Sequence, residues 1–96
     1  MVSVSVATNP CYYKDMWQET KDGLYQHFTF ADFKQAFDFM TRVAEIAEGV
    51  QHHPRWTNDY DTVEVWLSTH SAKDKVTKKD HDLAKAIDAI YQEFIV

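Results

Sequence analysis

The spacing of the apolar residues changes along this chain from the period of a strand to that of a helix and back, which restricts the folds open to it. Apolar residues alternate over 24–30, as in a half-buried strand, and recur every three or four positions over 32–48, as in an amphipathic helix. Alternation returns over 62–70, and the helical period returns over 77–94. With a short strand at 56–60, the pattern predicts the order hairpin, helix, two strands, helix.

Turn and cap residues mark where these elements begin and end. Asp22-Gly23 between two candidate strands predicts a hairpin, because glycine adopts positive φ at little cost. Gly49 is predicted to lie just past the end of the first helix, where left-handed geometry is needed. Two residue pairs resemble capping boxes that begin helices: Asp32 with Gln35, and Thr77 with Asp80.

Each helical segment carries one apolar stripe, which predicts the face that packs on the sheet. Helices packed on one face of an antiparallel sheet form an α+β fold, which is the fold class we expect. The predicted stripe of the first helix is Phe33, Ala36, Phe37, Met40, Val43, Ala44 and Ala47. The predicted stripe of the second is Leu83, Ile87, Ile90 or Tyr91, and Phe94.

Length and charge argue against several classes of protein. A chain of 96 residues predicts a single domain, 1–96, in which residues 1–10 form a flexible or edge segment. The net charge of −5 argues against direct binding to nucleic acid and to an anionic membrane. The lone Cys11 cannot form an internal disulfide, and neither a secretory signal nor an apolar membrane span is visible. We expect a cytoplasmic protein, with a nuclear location also open.

A cluster of titratable residues is the strongest functional feature. His52 and His53 stand side by side before Pro54, Glu48 lies four positions before His52, and His70 ends a predicted strand. The unperturbed pKa of histidine is about 6.5, so several histidines in one place indicate proton transfer or metal binding. A nearby carboxylate orients an imidazole ring and favours its charged form. Neighbouring extended residues point in different directions, so the two adjacent rings are not expected to perform the same task.

Other interpretations of these residues are open at this point. The three histidines could bind zinc, but the usual helical spacing of zinc histidines is absent, so a metal site is the weaker prediction. Cys11 has no basic neighbours, which argues against a nucleophile. Asp80 also fits a simple helix cap. The remaining candidates have structural explanations: Trp17, Trp56 and Trp66 as packing residues, and His27 and His81 as surface residues.

Together these motifs resemble one known family. The chain reads Glu48-x-x-x-His52-His53-Pro54-x-Trp56, then Tyr60, then Val63-x-Val65-x-Leu67-x-Thr69-His70, then Thr77-x-x-Asp80. This order is similar to the signature of the pterin-4a-carbinolamine dehydratases, and so are Phe28-x-Phe30-x-Asp32-Phe33 and the segment 37–44. The likeness extends over roughly residues 17–92.

The resemblance implies an α+β fold with a four-stranded antiparallel sheet and two or three helices packed on one face. It also implies an activity: dehydration of 4a-hydroxytetrahydropterin, the product left by aromatic amino acid hydroxylases, to the quinonoid dihydropterin. Neither a metal nor an organic cofactor takes part in that reaction. Members of the family associate through sheet edges, so a homodimer or homotetramer is expected.

The resemblance also implies a role for each motif residue. His52 and His70 would be the acid–base pair, and His53 would bind and orient the pterin. Glu48 and Asp80 would fix ring tautomers or contact the amino-pyrimidine edge of the pterin. The remaining substrate-binding residues would be Trp17 and Pro54.

The chain departs from the family pattern before its last helix. The loop 71–76 has no glycine, whereas family members usually have Gly-Gly or Ala-Gly there, and it is one residue longer. The position of Asp80 relative to His70 therefore does not follow from the sequence. The N-terminal segment is short and rich in alternating Val and Ser, so we expect the usual first helix of the family to be truncated or absent.

A second class of function, that of a protein-binding module, is also open. Some relatives serve as dimerisation cofactors for a homeodomain transcription factor, and the resemblance implies this role as the alternative. It would need an exposed apolar stripe on a helix, which Tyr91, Phe94 and Ile95 could supply. Since the chain is acidic, such a role would act through a protein partner and not through DNA contact.

Overall fold

The structure is a computed structural model that describes residues 17–69, 72–73 and 75–95. In this part of the chain four strands and two helices follow in the predicted order. We label them β1 (Gln18–Thr20), β2 (Gly23–Thr29), α1 (Phe33–Val50), β3 (Arg55–Asp59), β4 (Thr62–Leu67) and α2 (Lys78–Ile95). The predictions made for residues 1–10, Cys11 and His70 lie outside the described residues.

The four strands form one antiparallel sheet in the order β1-β2-β4-β3, which confirms the α+β class and the four-stranded sheet. β2 pairs with β4 from Leu24 opposite Leu67 to Thr29 opposite Thr62. The apolar residues on one side of the sheet form a single core with residues of both helices. The buried residues on that side are Leu24, Gln26, Phe28, Phe30, Val63, Val65, Leu67 and Thr69. The two helices therefore cover one face, as predicted.

The turn between β1 and β2 requires glycine. Gly23 has a φ of +118°, which residues with a side chain rarely adopt, and a Cβ atom there would lie 2.3 Å from the Leu67 carbonyl oxygen. Both the backbone angle and the clash therefore exclude a larger residue. The Thr20 hydroxyl completes the turn. It donates to the Gly23 carbonyl at 2.9 Å and accepts from the Asp22 N–H at 3.1 Å. The predicted hairpin is confirmed.

Helix α1 is rotated relative to its predicted stripe. Phe33 and Phe37, both predicted to be buried, are 46% and 54% exposed, and Ala44 is also exposed. The cause is the packing of Phe39, whose ring lies 5.0 Å from that of Phe28 between centroids and turns this side of the helix to the sheet. The buried residues of α1 are Ala36, Phe39, Val43 and Ala47.

Helix α1 also ends later than predicted. Gly49 lies inside the helix, which continues to Val50, and Gln51 takes the left-handed cap position with a φ of 54°. The Gln51 N–H bonds back to carbonyls of the last turn, and its Nε2 donates to the Glu48 carbonyl oxygen at 2.7 Å. These bonds satisfy the end of the helix without glycine. The prediction for Gly49 is therefore wrong, and the chain passes from Gln51 directly into His52.

Helix α2 begins one residue after Thr77, close to its predicted start. The Thr77 N–H donates to Asp80 Oδ2 at 2.8 Å, which is one half of the predicted capping box. The predicted stripe faces the core: Leu83, Ile87 and Ile90 are buried, and Tyr91 and Phe94 are partly buried. Neither of the helices described here combines the length and the apolar composition needed to cross a membrane.

Candidate active site

The fold brings together residues from three segments of the chain. His52 and His53 lie in the loop between α1 and β3, Thr69 follows β4, and Asp80 lies in the first turn of α2. His52 and Asp80 make contact although 28 positions separate them in the sequence. The glycine-free loop before α2 therefore leaves Asp80 in contact with His52, while the position of Asp80 relative to His70 lies outside the described residues.

His52 and Asp80 form a pair in which Asp80 is fully buried and His52 is partly buried, and we call it the buried pair. His52 Nε2 lies 2.6 Å from Asp80 Oδ1, and the two side chains are 11% and 0% exposed. Asp80 Oδ2 accepts from the Thr69 hydroxyl and from the Thr77 N–H, each at 2.8 Å. A carboxylate removed from water needs such donors, and Asp80 has three. The pair fixes the His52 ring at Nε2 and leaves Nδ1 with no hydrogen bond to any residue that the structure describes.

His53 forms a second pair, at the surface. Its Nε2 lies 2.8 Å from Glu48 Oε1, and the side chains are 57% and 74% exposed. The hydrogen bond from His53 lowers the pKa of the Glu48 carboxyl below its ordinary value, with smaller contributions from Gln51 and from the charge of His53. The adjacent histidines thus bind different carboxylates, in line with the expectation that they perform different tasks.

Two cavities lie beside the first turns of α2. The larger, of about 740 Å³, is lined on one side of the helix by residues that include Trp17, His81 and Asp88. The smaller, of about 190 Å³, lies between α1 and α2, and His52 and Leu83 contribute to its wall. The partly buried His52 therefore has open space next to it.

Trp17 was expected to bind substrate. Among the described contacts its indole N–H bonds to Asp88, and no hydrogen bond joins it to His52. Its Nε1 lies 3.0 Å from each carboxylate oxygen of Asp88. Burial raises the pKa of Asp88 to about 6, although the hydrogen bond from Trp17 acts in the opposite direction. Asp88 was not identified as a candidate from the sequence. Its position next to Ile87, in the apolar stripe of α2, was the only sequence feature that indicated burial.

The other candidates have simpler surroundings. Pro54 is partly exposed after His53, and Trp56 packs against the core. Trp66 lies on the opposite face of the sheet, where the Arg55 guanidinium carbon is 4.7 Å from the ring centroid. No three His, Cys, Asp or Glu side chains among the described residues converge to hold a metal ion. His70 is outside that set.

Paired histidines and carboxylates on an α+β scaffold define a site suited to proton transfer on a bound ligand. Comparison with known proteins identifies the family. Residues 5–90 match the family model described as pterin 4 alpha carbinolamine dehydratase, so this chain belongs to that family.

Individual relatives agree. A protein of Rhodopseudomonas palustris is 51% identical over 80 residues, which are 81% of this chain and 78% of that protein. A protein of Prochlorococcus marinus is 48% identical over 77 residues, 80% of this chain and 79% of that protein. Both carry the provisional name pterin-4-alpha-carbinolamine dehydratase.

Solved structures share the fold. A transcriptional coactivator/pterin dehydratase from Brucella melitensis matches with a TM-score of 0.75 and 40% identity, over 80% of this chain and 83% of that chain. A pterin dehydratase-like protein identified as a RuBisCO assembly factor in the alpha-carboxysome matches with a TM-score of 0.69 over 82% of this chain and 93% of that chain. At 20% identity, the second match shows a common fold only.

Proposed function

We propose that this protein dehydrates 4a-hydroxytetrahydropterins to quinonoid dihydropterins by acid–base catalysis with histidine. The observation that carries the proposal is the buried His52–Asp80 pair at 2.6 Å, adjacent in the chain to the exposed His53–Glu48 pair at 2.8 Å. Membership of the dehydratase family supports the same reaction.

The reaction needs two proton transfers. The C4a–O bond breaks and a C4a=N5 double bond forms, while the leaving hydroxyl gains a proton to depart as water and N5 loses its proton. The proton count therefore balances, and the site needs one group that donates to the oxygen and one that accepts from N5. Positioned side chains typically accelerate such steps by about 10²–10⁴-fold.

The histidines and carboxylates divide these tasks. We assign proton transfer to His52 together with His70, and binding of the pterin to His53 with Glu48. Asp80 has no exposed surface, so we assign it to orienting the His52 ring and not to contact with the pterin. We also propose Trp17 and Pro54 as substrate-binding residues; Trp17 lines the larger cavity, whereas His52 lines the smaller one.

We infer that the physiological substrate is 4a-hydroxytetrahydrobiopterin, that the reaction belongs to tetrahydrobiopterin recycling in the cytoplasm, and that it needs no cofactor. The experiment is turnover of chemically generated 4a-hydroxytetrahydrobiopterin, followed by ultraviolet absorbance. The wild type is compared with the His52→Ala/His70→Ala double variant. We expect rapid dehydration by the wild type and loss of it in the variant. No acceleration over buffer by folded wild type would contradict the proposal.

A second candidate function is that of a protein-interaction module, such as a dimerisation cofactor for a transcription factor. The observation that favours it is an aromatic patch of Phe33, Phe37 and Tyr60, which are 46%, 54% and 64% exposed. The Phe33 and Tyr60 rings stack at 6.5 Å between centroids. Large exposed aromatic patches commonly mark interaction sites. Of Tyr91, Phe94 and Ile95, which were expected to form an exposed stripe on α2, only Ile95 is exposed to a similar degree, at 50%.

Light scattering on the purified protein tests the patch. If it joins subunits of a homodimer or homotetramer, Phe33→Ser/Phe37→Ser lowers the mass, while the control Ala44→Ser, on an exposed site of the same helix, leaves it unchanged. A wild-type monomer, or an oligomer insensitive to the double substitution, would argue against this role.

A further inference from the structure

Two threonine hydroxyls lie near the Asp80 carboxylate. The number of protons that each hydroxyl can donate sets the direction of the hydrogen bonds between them. The Thr69 hydroxyl donates to Asp80 Oδ2 at 2.8 Å, and the Thr69 and Thr77 Oγ1 atoms are 2.6 Å apart. A hydroxyl has one proton to donate. Because Thr69 gives its proton to Asp80, the hydroxyl of Thr77 donates to Thr69. The hydrogen bonds therefore run one way, from Thr77 through Thr69 to Asp80.

Thr69 is itself held in place. Its side chain is buried with the residue only 5% exposed, its N–H donates to the Lys75 carbonyl at 2.9 Å, and its carbonyl accepts from the Ala72 N–H at 3.0 Å. A donor anchored at both backbone groups holds the carboxylate in one orientation. In that orientation the other oxygen, Asp80 Oδ1, faces His52 Nε2 at 2.6 Å.

We propose that Thr69 and Thr77 are positioning residues that lock Asp80 so that His52 keeps its proton on Nε2 and uses Nδ1 for proton exchange with the substrate. An ionised carboxylate can only accept, so the ring nitrogen that faces it carries the proton. Among the described residues nothing bonds to the remaining nitrogen, Nδ1. His52 contributes to the wall of the neighbouring cavity of about 190 Å³, which is where we place its proton exchange. The role of Nδ1 in turnover rests on the proposed dehydratase function, whereas the locked ring does not.

The first test is nitrogen-15 NMR of the full chain without ligand. In the wild type we expect His52 to show a protonated Nε2 whose proton exchanges slowly with water, and an unprotonated Nδ1 at alkaline pH. Thr69→Ser, which keeps the hydroxyl, should retain this signal. In Thr69→Val, which has a similar shape and no hydroxyl, the His52 Nε2 proton should exchange rapidly with water, and its signal should be lost. The control is Thr57→Val on β3. The Thr57 hydroxyl contacts Glu64 at 3.3 Å, so its removal should leave the His52 signal unchanged.

The second test is kinetic. Loss of one hydrogen bond to a charged group should lower kcat of Thr69→Val by about 10- to 100-fold with little change in KM, and Thr69→Ser should restore most of the rate. If Thr69→Val does not fold, Thr77→Val, which removes only the outer hydroxyl, should give a smaller loss of the same kind.

The two tests separate the two proposals. A wild type in which Nδ1 of His52 carries the proton, or a Thr69→Val variant with an unchanged His52 signal, would overturn the locked ring whatever the activity. A wild type with the expected NMR signal and no dehydratase activity would instead overturn the proposed function.

Discussion

Asp88 provides a stability prediction whose size follows from the structure. The residue is only 4% exposed, and burial raises its pKa from an ordinary 3.8 to about 6. The folded protein therefore holds this proton up to about pH 6, whereas the unfolded chain loses it near 3.8. Stability from this group is complete below the unfolded value and is lost as pH rises towards about 6. At about 1.36 kcal/mol per pKa unit, the loss is about 3 kcal/mol.

Replacing Asp88 by asparagine should remove this loss. The amide oxygen can still accept from Trp17 Nε1, and the amide N–H groups border a cavity of about 740 Å³ that can admit water. We expect Asp88→Asn to match the wild type at about pH 3 and to be more stable by up to about 3 kcal/mol at pH 8. Urea unfolding at fixed protein concentration across this pH range measures the difference, in which the contributions of other carboxylates cancel.

Asp82 is the matched control on the same helix. It is exposed and bonded to Lys78 at 2.9 Å, and that hydrogen bond lowers the pKa of Asp82 below its ordinary value. The sign is therefore opposite: any stability from this pair is present above the ordinary value and is lost as pH falls. Asp82→Asn should not reproduce the alkaline gain. An Asp88→Asn variant that is less stable than wild type at pH 8, or whose difference from wild type does not change with pH, would refute the reasoning.

Three further predictions concern the core, the hairpin and the chemistry. Phe39→Ala, at a fully buried site, should lower the free energy of unfolding by about 3–5 kcal/mol, whereas Phe37→Ala, at a site 54% exposed, should cost less than about 1 kcal/mol; urea unfolding compares them. Gly23→Ala should lower the melting temperature markedly, because its Cβ would lie 2.3 Å from the Leu67 oxygen, and an unchanged melting curve would contradict the turn geometry. EDTA should leave the dehydration rate unchanged, and loss of activity restored by zinc would favour the metal interpretation.

Local patterns predicted the elements well because they depend on neighbouring residues. Alternation over β2 and β4 identified the inward face without error, since a strand has only two faces. Helix α1 was harder, because its apolar residues cover more than one face. The stripe through Phe33 and Phe37 competes with the stripe through Phe39, and only the rings of the sheet and of α2 decide between them.

In the candidate site, too, contacts between residues that are close in the sequence were easier to predict than contacts between distant residues. The sequence related Glu48 to His52, four positions away, whereas the structure pairs Glu48 with His53, five positions away. The contact between Asp88 and Trp17 joins residues 71 positions apart, which no local period can reveal. The contact between the Thr69 and Thr77 hydroxyls joins residues on either side of the loop before α2, and no local period predicts it.

We propose above that His52 moves a proton during pterin dehydration. The most direct measurement is the rate of dehydration of 4a-hydroxytetrahydrobiopterin by His52→Ala, with His27→Ala, at an exposed histidine of β2, as the control. We expect His52→Ala to stay folded by circular dichroism and to lose about 10²–10⁴-fold in kcat, while His27→Ala keeps the wild-type rate. A folded His52→Ala variant with the full rate would contradict the proposal.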